Sequence, residues 1–276
     1  MKRIIACALS LIMILGVFAG CGESKKTNAD GAVEISTADE FFAIANDPNA
    51  DYVIVSEIDL GGKEWKPIDN FGGTLSGVWG GIFNHTVKNF TIKGKKSDKA
   101  VGFAKKISGT VECLNIKDVK VELEKGFSGS AGVLGGVMEN APDTVRIENA
   151  TVSGTVSNAK VGILAGEIKG EVRNCFSEGK VSVTSNGETF IGGIAGKVEN
   201  VTDTESRAQI TANSDKTLTL GGIAGNANNL DTVYFGGTIN ATAKSGVLSA
   251  SQFGGSVKSV VDGYANATEF NVTGDG

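Results

Sequence analysis

The sequence predicts an all-β chain wound as a single-stranded parallel β-helix of about six or seven coils, with a short capping helix at its N-terminal end. Three observations carry this prediction: a Gly-rich step that returns about every 30 residues, a period-2 apolar pattern between the steps, and a strand-favouring composition. Written one above another, VGFAKKI from Val101, AGVLGGV from Ala131, VGILAGE from Val161, IGGIAGK from Ile191, LGGIAGN from Leu220 and ASQFGGS from Ala250 align at intervals of 30, 30, 30, 29 and 30 residues. A less regular earlier copy falls at Gly81-Ile82-Phe83, whose continuation Val87 to Ile92 matches Val111 to Ile116.

Between the steps, stretches such as Val119 to Leu123, Val152 to Val156, Lys180 to Thr184 and Thr238 to Thr242 alternate apolar with polar side chains. Such alternation makes a strand that is apolar on one face and wet on the other. One such unit is too small to bury a core, so equivalent strands of successive units must stack in parallel. The repeated glycines then serve a coil corner, where they supply a special backbone conformation or allow neighbouring chains to approach closely. Gly makes up 39 of 276 residues and Pro only 3, which agrees with many short strands joined by tight turns. A phosphate-cradling role for GGIAG fails on context, because no helix follows and no Lys-Ser/Thr partner is present.

Ahead of the repeats, the chain opens with Lys2 and Arg3, an apolar run from Ile4 to Phe18, and the small residues Ala19 and Gly20 leading into Cys21. A charged start, an apolar stretch of this length and small residues before a cleavage point make a secretory signal peptide over residues 1–20. A membrane span needs about 20 apolar residues, more than this run supplies. FAGC resembles the bacterial lipobox, which implies lipidation of Cys21 and attachment to the extracellular face of the cell membrane. Residues 21–31 read as the lipidated cysteine and a polar tether, and residues 32–276 as the β-helix, with its cap over 32–60. Within that cap, Thr37 followed three residues on by Glu40 is a capping-box pattern, Phe41, Phe42, Ile44 and Ala45 supply an apolar face, and Asn46-Asp47-Pro48 stops the helix. A helix there covers the open edge of the first coil.

VGILAG, AGVLGG and GGIAG, together with the entering segment YVIVSEIDLGGKEWKPIDNFGGTLSG, resemble the GLUG motif, a Gly-rich repeat of bacterial surface proteins. The resemblance covers roughly Ala32 to Gly276 and implies a right-handed parallel β-helix on a cell surface. It implies little about activity.

The charge balance excludes one class of partner. Export would remove Lys2 and Arg3, leaving 24 basic against 31 acidic side chains, where a nucleic-acid binder needs a basic face. Cys113 and Cys175 are too few for a disulfide framework and read as small buried residues. His85 is the only histidine, so neither a catalytic triad nor a multi-histidine metal site is written in the sequence, and no catalytic residue is assigned. No cofactor is expected, with one qualification concerning Ca²⁺. Asp143, Asp203, Asp231 and Asp262 each follow the Gly step of their unit at a nearly constant distance, and the last three would stack if that register held. A carboxylate ladder could hold Ca²⁺ through oxygen ligands; the same residues also suit turns, where Asp bonds its own backbone.

Trp65, Trp79, Tyr234, Phe235 and Tyr264 are the aromatic candidates for carbohydrate stacking, with Tyr234 and Tyr264 one coil apart. The expectation is therefore a lipid-anchored, non-catalytic surface protein presenting its β-helix for adhesion, to a polysaccharide or to a host or surface protein. The alternative is a carbohydrate-active lyase or hydrolase with Asp203, Asp231 and Asp262 as its carboxylates.

Overall fold

The structure is a computed structural model that describes residues 26–77, 85–244 and 246–274. The signal segment, Cys21, Trp79 and the early repeat copy at Gly81-Ile82-Phe83 lie outside the described residues. Strands wind into a parallel β-solenoid of about seven coils, as the repeat predicts. Every strand pairing is parallel, and among the described residues the one antiparallel contact is an isolated bridge between Thr27 and Val33.

Each regular coil has three faces. The short first face stacks Ala100–Val101, Ser130–Ala131, Lys160–Gly162, Thr189–Gly192, Leu218–Gly221 and Leu248–Ser251. The second face carries Ala104–Ile107, Gly135–Met138 and the opening of Ala165–Arg173 in register. The third carries Asn115–Phe127, Arg146–Val156 and Phe176–Ser185. In the later coils a single long strand, Ala195–Ser214, runs through the corner between the second and third faces.

Inward residues make continuous columns. Val121, Val152, Val181, Ile210 and Ile239 follow one another in strand register, and each is completely buried. Outward residues of the same strands are polar, so period 2 sorts the side chains as the sequence predicts.

The Gly steps are explained by close approach. A Cβ on Gly132 would lie 2.3 Å from the Ala165 Cα of the next coil, on Gly162 2.5 Å from that of Ala195, and on Gly192 2.6 Å from that of Ala224. The second glycine of each step packs the other way. A Cβ on Gly166, Gly196 or Gly255 would meet the backbone nitrogen of Ala131, Val161 or Leu220 at 2.4–2.5 Å. None of these glycines has positive φ, so missing bulk is what selects glycine here, and special backbone geometry is not.

The N-terminal helix α1, Ala38–Ala43, continues as a short 3-10 turn, Ile44–Asn46. Thr37 and Glu40 form the reciprocal capping box. Phe41 is buried against Trp65 and Phe103, at ring-centroid distances of 5.2 and 5.9 Å, and so closes the first coil's edge. At the other end, the strands of the last coil pair only backwards among the described residues, and Val261 and Tyr264 are 50% and 69% exposed.

Candidate binding groove

The corner between the second and third faces organises the candidate site. One residue per coil adopts the left-handed conformation there: Cys113, Thr144, Asn174, Asp203, Thr232 and Asp262, all with φ between 48° and 54°. Asp and Asn tolerate this conformation because their short polar side chains bond locally. Threonine is less suited to it. Thr144 and Thr232 are each preceded by an aspartate, and their hydroxyls donate to Asp143 Oδ1 at 2.7 Å and Asp231 Oδ1 at 3.1 Å.

This resolves the aspartates into two groups and corrects the expected three-rung ladder. Asp231 pairs in register with Thr202 and Val261, whereas Asp203 and Asp262 belong to the neighbouring, left-handed column with Thr232 between them. Asp203, Asp231 and Asp262 therefore do not stack on consecutive coils. The physical reason is uneven coil length. The corner positions 113, 144, 174, 203, 232 and 262 are not equally spaced, and a slip of one position moves a side chain to another column. Arg173 is in register with Thr202, in the same column as Asp231. Among the described residues no group of three or more His, Cys, Asp or Glu side chains is arranged to hold a metal ion.

Just beyond the corner, a second outward column runs along the solenoid axis: Thr86, Asn115, Arg146, Phe176, Glu205, Tyr234 and Tyr264. The two tyrosines are thus neighbours in register on adjacent coils. Between the two columns lies a groove of about 390 Å³, whose lining includes Arg146, Asn174, Phe176, Asp203, Glu205 and Tyr234. A smaller hollow of about 100 Å³ adjoins it across Arg146, beside Asn115 and Lys117.

The groove is held by paired charges. The Arg146 guanidinium lies 3.9 Å over the Phe176 ring and bonds Glu148 through Nε at 2.7 Å and a terminal nitrogen at 2.6 Å. Arg207 stands 5.5 Å from the same ring and bonds Glu205, whose carboxylate raises the guanidinium pKa further. Phe176 is therefore nearly covered, and Tyr234 is the half-buried aromatic of the lining. The floor is dry. Thr204 donates to the Thr202 carbonyl at 2.8 Å, and the buried Cys175 thiol, 3.1 Å from the Arg173 carbonyl, is pushed up to about 12 by burial. Asp203 is exposed at the rim and makes no hydrogen bond or ion pair among the described residues.

Of the other aromatic candidates, Trp65 and Phe235 are core residues at 1% and 0% exposure. Trp65 donates its ring N–H to the Phe103 carbonyl at 2.8 Å. Cys113 is half-buried at a corner and Cys175 buried, both as free thiols. Sequence reasoning missed Arg146, Asn174, Phe176 and Glu205. Arg146, Phe176, Glu205 and Tyr234 do follow one another at the coil length, but their side chains share no chemistry, so no motif marks the column.

No protein-family model matches the chain, and no curated protein matches it. Among solved structures it is similar to one from Bacteroides ovatus described as a "putative immunoglobulin A1 protease", with a TM-score of 0.53 and 16% identity over 87% of this chain and 86% of that one. At that identity, the likeness supports the β-solenoid fold and nothing about chemistry.

Proposed function

We propose that this chain is a lipid-anchored bacterial surface protein that presents its β-helix as a non-catalytic binding rod, with a glycan chain as ligand seated in the groove beside Tyr234. The observation that carries this reading is the groove itself. It is an open trough running along the solenoid axis, with an aromatic lining residue, polar side chains at its rim and corners fixed by their own hydrogen bonds. Sugar rings are recognised in this way, with an apolar face against an aromatic ring and hydroxyls toward polar groups. The FAGC sequence ahead of the polar tether supports anchorage at Cys21. The protease named for the structural neighbour does not transfer to this chain at 16% identity.

The test is to incubate the full chain with a polysaccharide panel, with and without Ca²⁺, measuring both retention and new reducing or unsaturated ends. The expected result is retention without new ends, weakened about tenfold by Tyr234→Ala, which is about 1.4 kcal/mol. A blank across the panel contradicts glycan binding, and new ends contradict a non-catalytic role. Anchorage is read separately by incorporation of labelled fatty acid, expected in the wild type and absent in Cys21→Ala.

A further inference from the structure

On the reading that the groove holds a glycan, its unpaired groups define which kind. Every arginine around it is already committed: Arg146 to Glu148 and the Phe176 ring, Arg207 to Glu205, and Arg173 to Glu171. Arg173 feels the Asp203 charge, but its guanidinium bonds Glu171 and leaves the Asp203 oxygens open. No guanidinium charge there is left without a carboxylate partner. Two acceptors with spare capacity remain at the rim. Asp203 lacks a hydrogen-bond partner among the described residues, and Asn174 donates an amide N–H to Asp143 Oδ1 at 3.1 Å, which leaves its carbonyl oxygen as an acceptor. Tyr234 lines the same groove.

We infer that the groove selects sugar chains that bring hydroxyl donors and carry no acid group, and that Asp203 is the residue that discriminates. A carboxylate accepts hydrogen bonds and cannot donate them, so sugar hydroxyls suit it. A uronate or sialate ring would instead bring a like charge against Asp203 with no free cation to offset it. The partly exposed site makes this a short-range discrimination that added salt weakens.

The experiment compares an uncharged glucan or mannan oligosaccharide with an oligogalacturonate of equal length on the full chain, at low and high salt. The uncharged chain is expected to bind at least about tenfold more tightly at low salt, a gap of about 1.4 kcal/mol. Asp203→Asn is the diagnostic variant, because Asn174 already occupies the same left-handed column at φ 51°. It should keep the wild-type circular dichroism and shrink the gap to under about threefold, by losing the repulsion and part of the hydrogen-bond strength. Equal or tighter binding of the oligogalacturonate overturns the inference, as does an unchanged gap in Asp203→Asn. Binding of neither sugar overturns the glycan reading as well, so the two failures are told apart.

Discussion

Gly162→Ala tests why the repeat exists. The added Cβ would stand 2.5 Å from the Ala165 carbonyl oxygen, 2.5 Å from the Ala195 Cα of the next coil and 2.6 Å from the Ile194 carbonyl oxygen. Ordinary carbon contacts lie at about 3.5–4.0 Å, so the coils must part by about 1 Å at that corner. All three obstacles are backbone, and none can rotate aside. The Ile194 carbonyl also accepts the ladder bonds from Leu164 and Ala165, at 3.0 and 3.4 Å, so parting the coils strains both. Inserting one methyl group into tight packing costs about 1–3 kcal/mol, and this site belongs at the upper end. For a chain of this size, about 3 kcal/mol lowers the thermal midpoint by about 6–12 °C. Gly61→Ala is the control: its φ of 66° disfavours a side chain, but nothing lies within 4 Å of the new Cβ. That substitution costs about 1–2 kcal/mol. Circular dichroism melts of the three proteins check the order. A Gly162→Ala midpoint within a degree of wild type, or above that of Gly61→Ala, refutes the close-approach argument.

Three further outcomes follow from the ends and the core. Trp65→Ala removes a side chain in contact with Phe41, Phe42 and Phe103 and leaves the Phe103 carbonyl with only the Ile68 N–H as donor, so it should cost about 3–5 kcal/mol in urea unfolding and loosen α1. Glu40 accepts from the Ser36 N–H at 2.8 Å, the largest of the influences that hold its carboxyl below its ordinary 4.5. A lowered folded-state pKa means that this contribution is present above pH 4.5 and fades as pH falls through the lowered value, so the hydrogen-exchange protection of residues 37–43, taken relative to the intrinsic rate at each pH, should fall at low pH, and less so in Glu40→Gln, which lacks the titrating group. Cys175, its thiol pushed up to about 12, should resist iodoacetamide in the folded protein at pH 8 and react once unfolded, as read by peptide mass spectrometry.

The fold was legible because its determinants are local and repeated. Gly162 and Gly192 recur at coil length since each must pass close to an alanine of the next coil, and Thr37 with Glu40 marks the cap through contacts within a single helical turn. The groove was only partly legible. Tyr234 and Tyr264 share a residue type and were found, but Arg146, Phe176 and Glu205 occupy the same column with unrelated chemistries. The aspartate ladder failed for a different reason. Counting from the Gly step treats a difference of one position as noise, yet at the corner it is a change of column. Asp203 occupies the left-handed position itself, while Asp231 sits just before the left-handed Thr232. Long-range register, set by coils of slightly unequal length, decides which side chains meet.

The most direct test of the central claim is hydrogen exchange of the full chain with and without a retained glycan. The groove reading predicts slowed exchange confined to the corner segments 143–146, 174–177, 203–206 and 232–235, which lie far apart in sequence and side by side on the solenoid. Protection elsewhere on the rod, with these four segments unchanged, would contradict it.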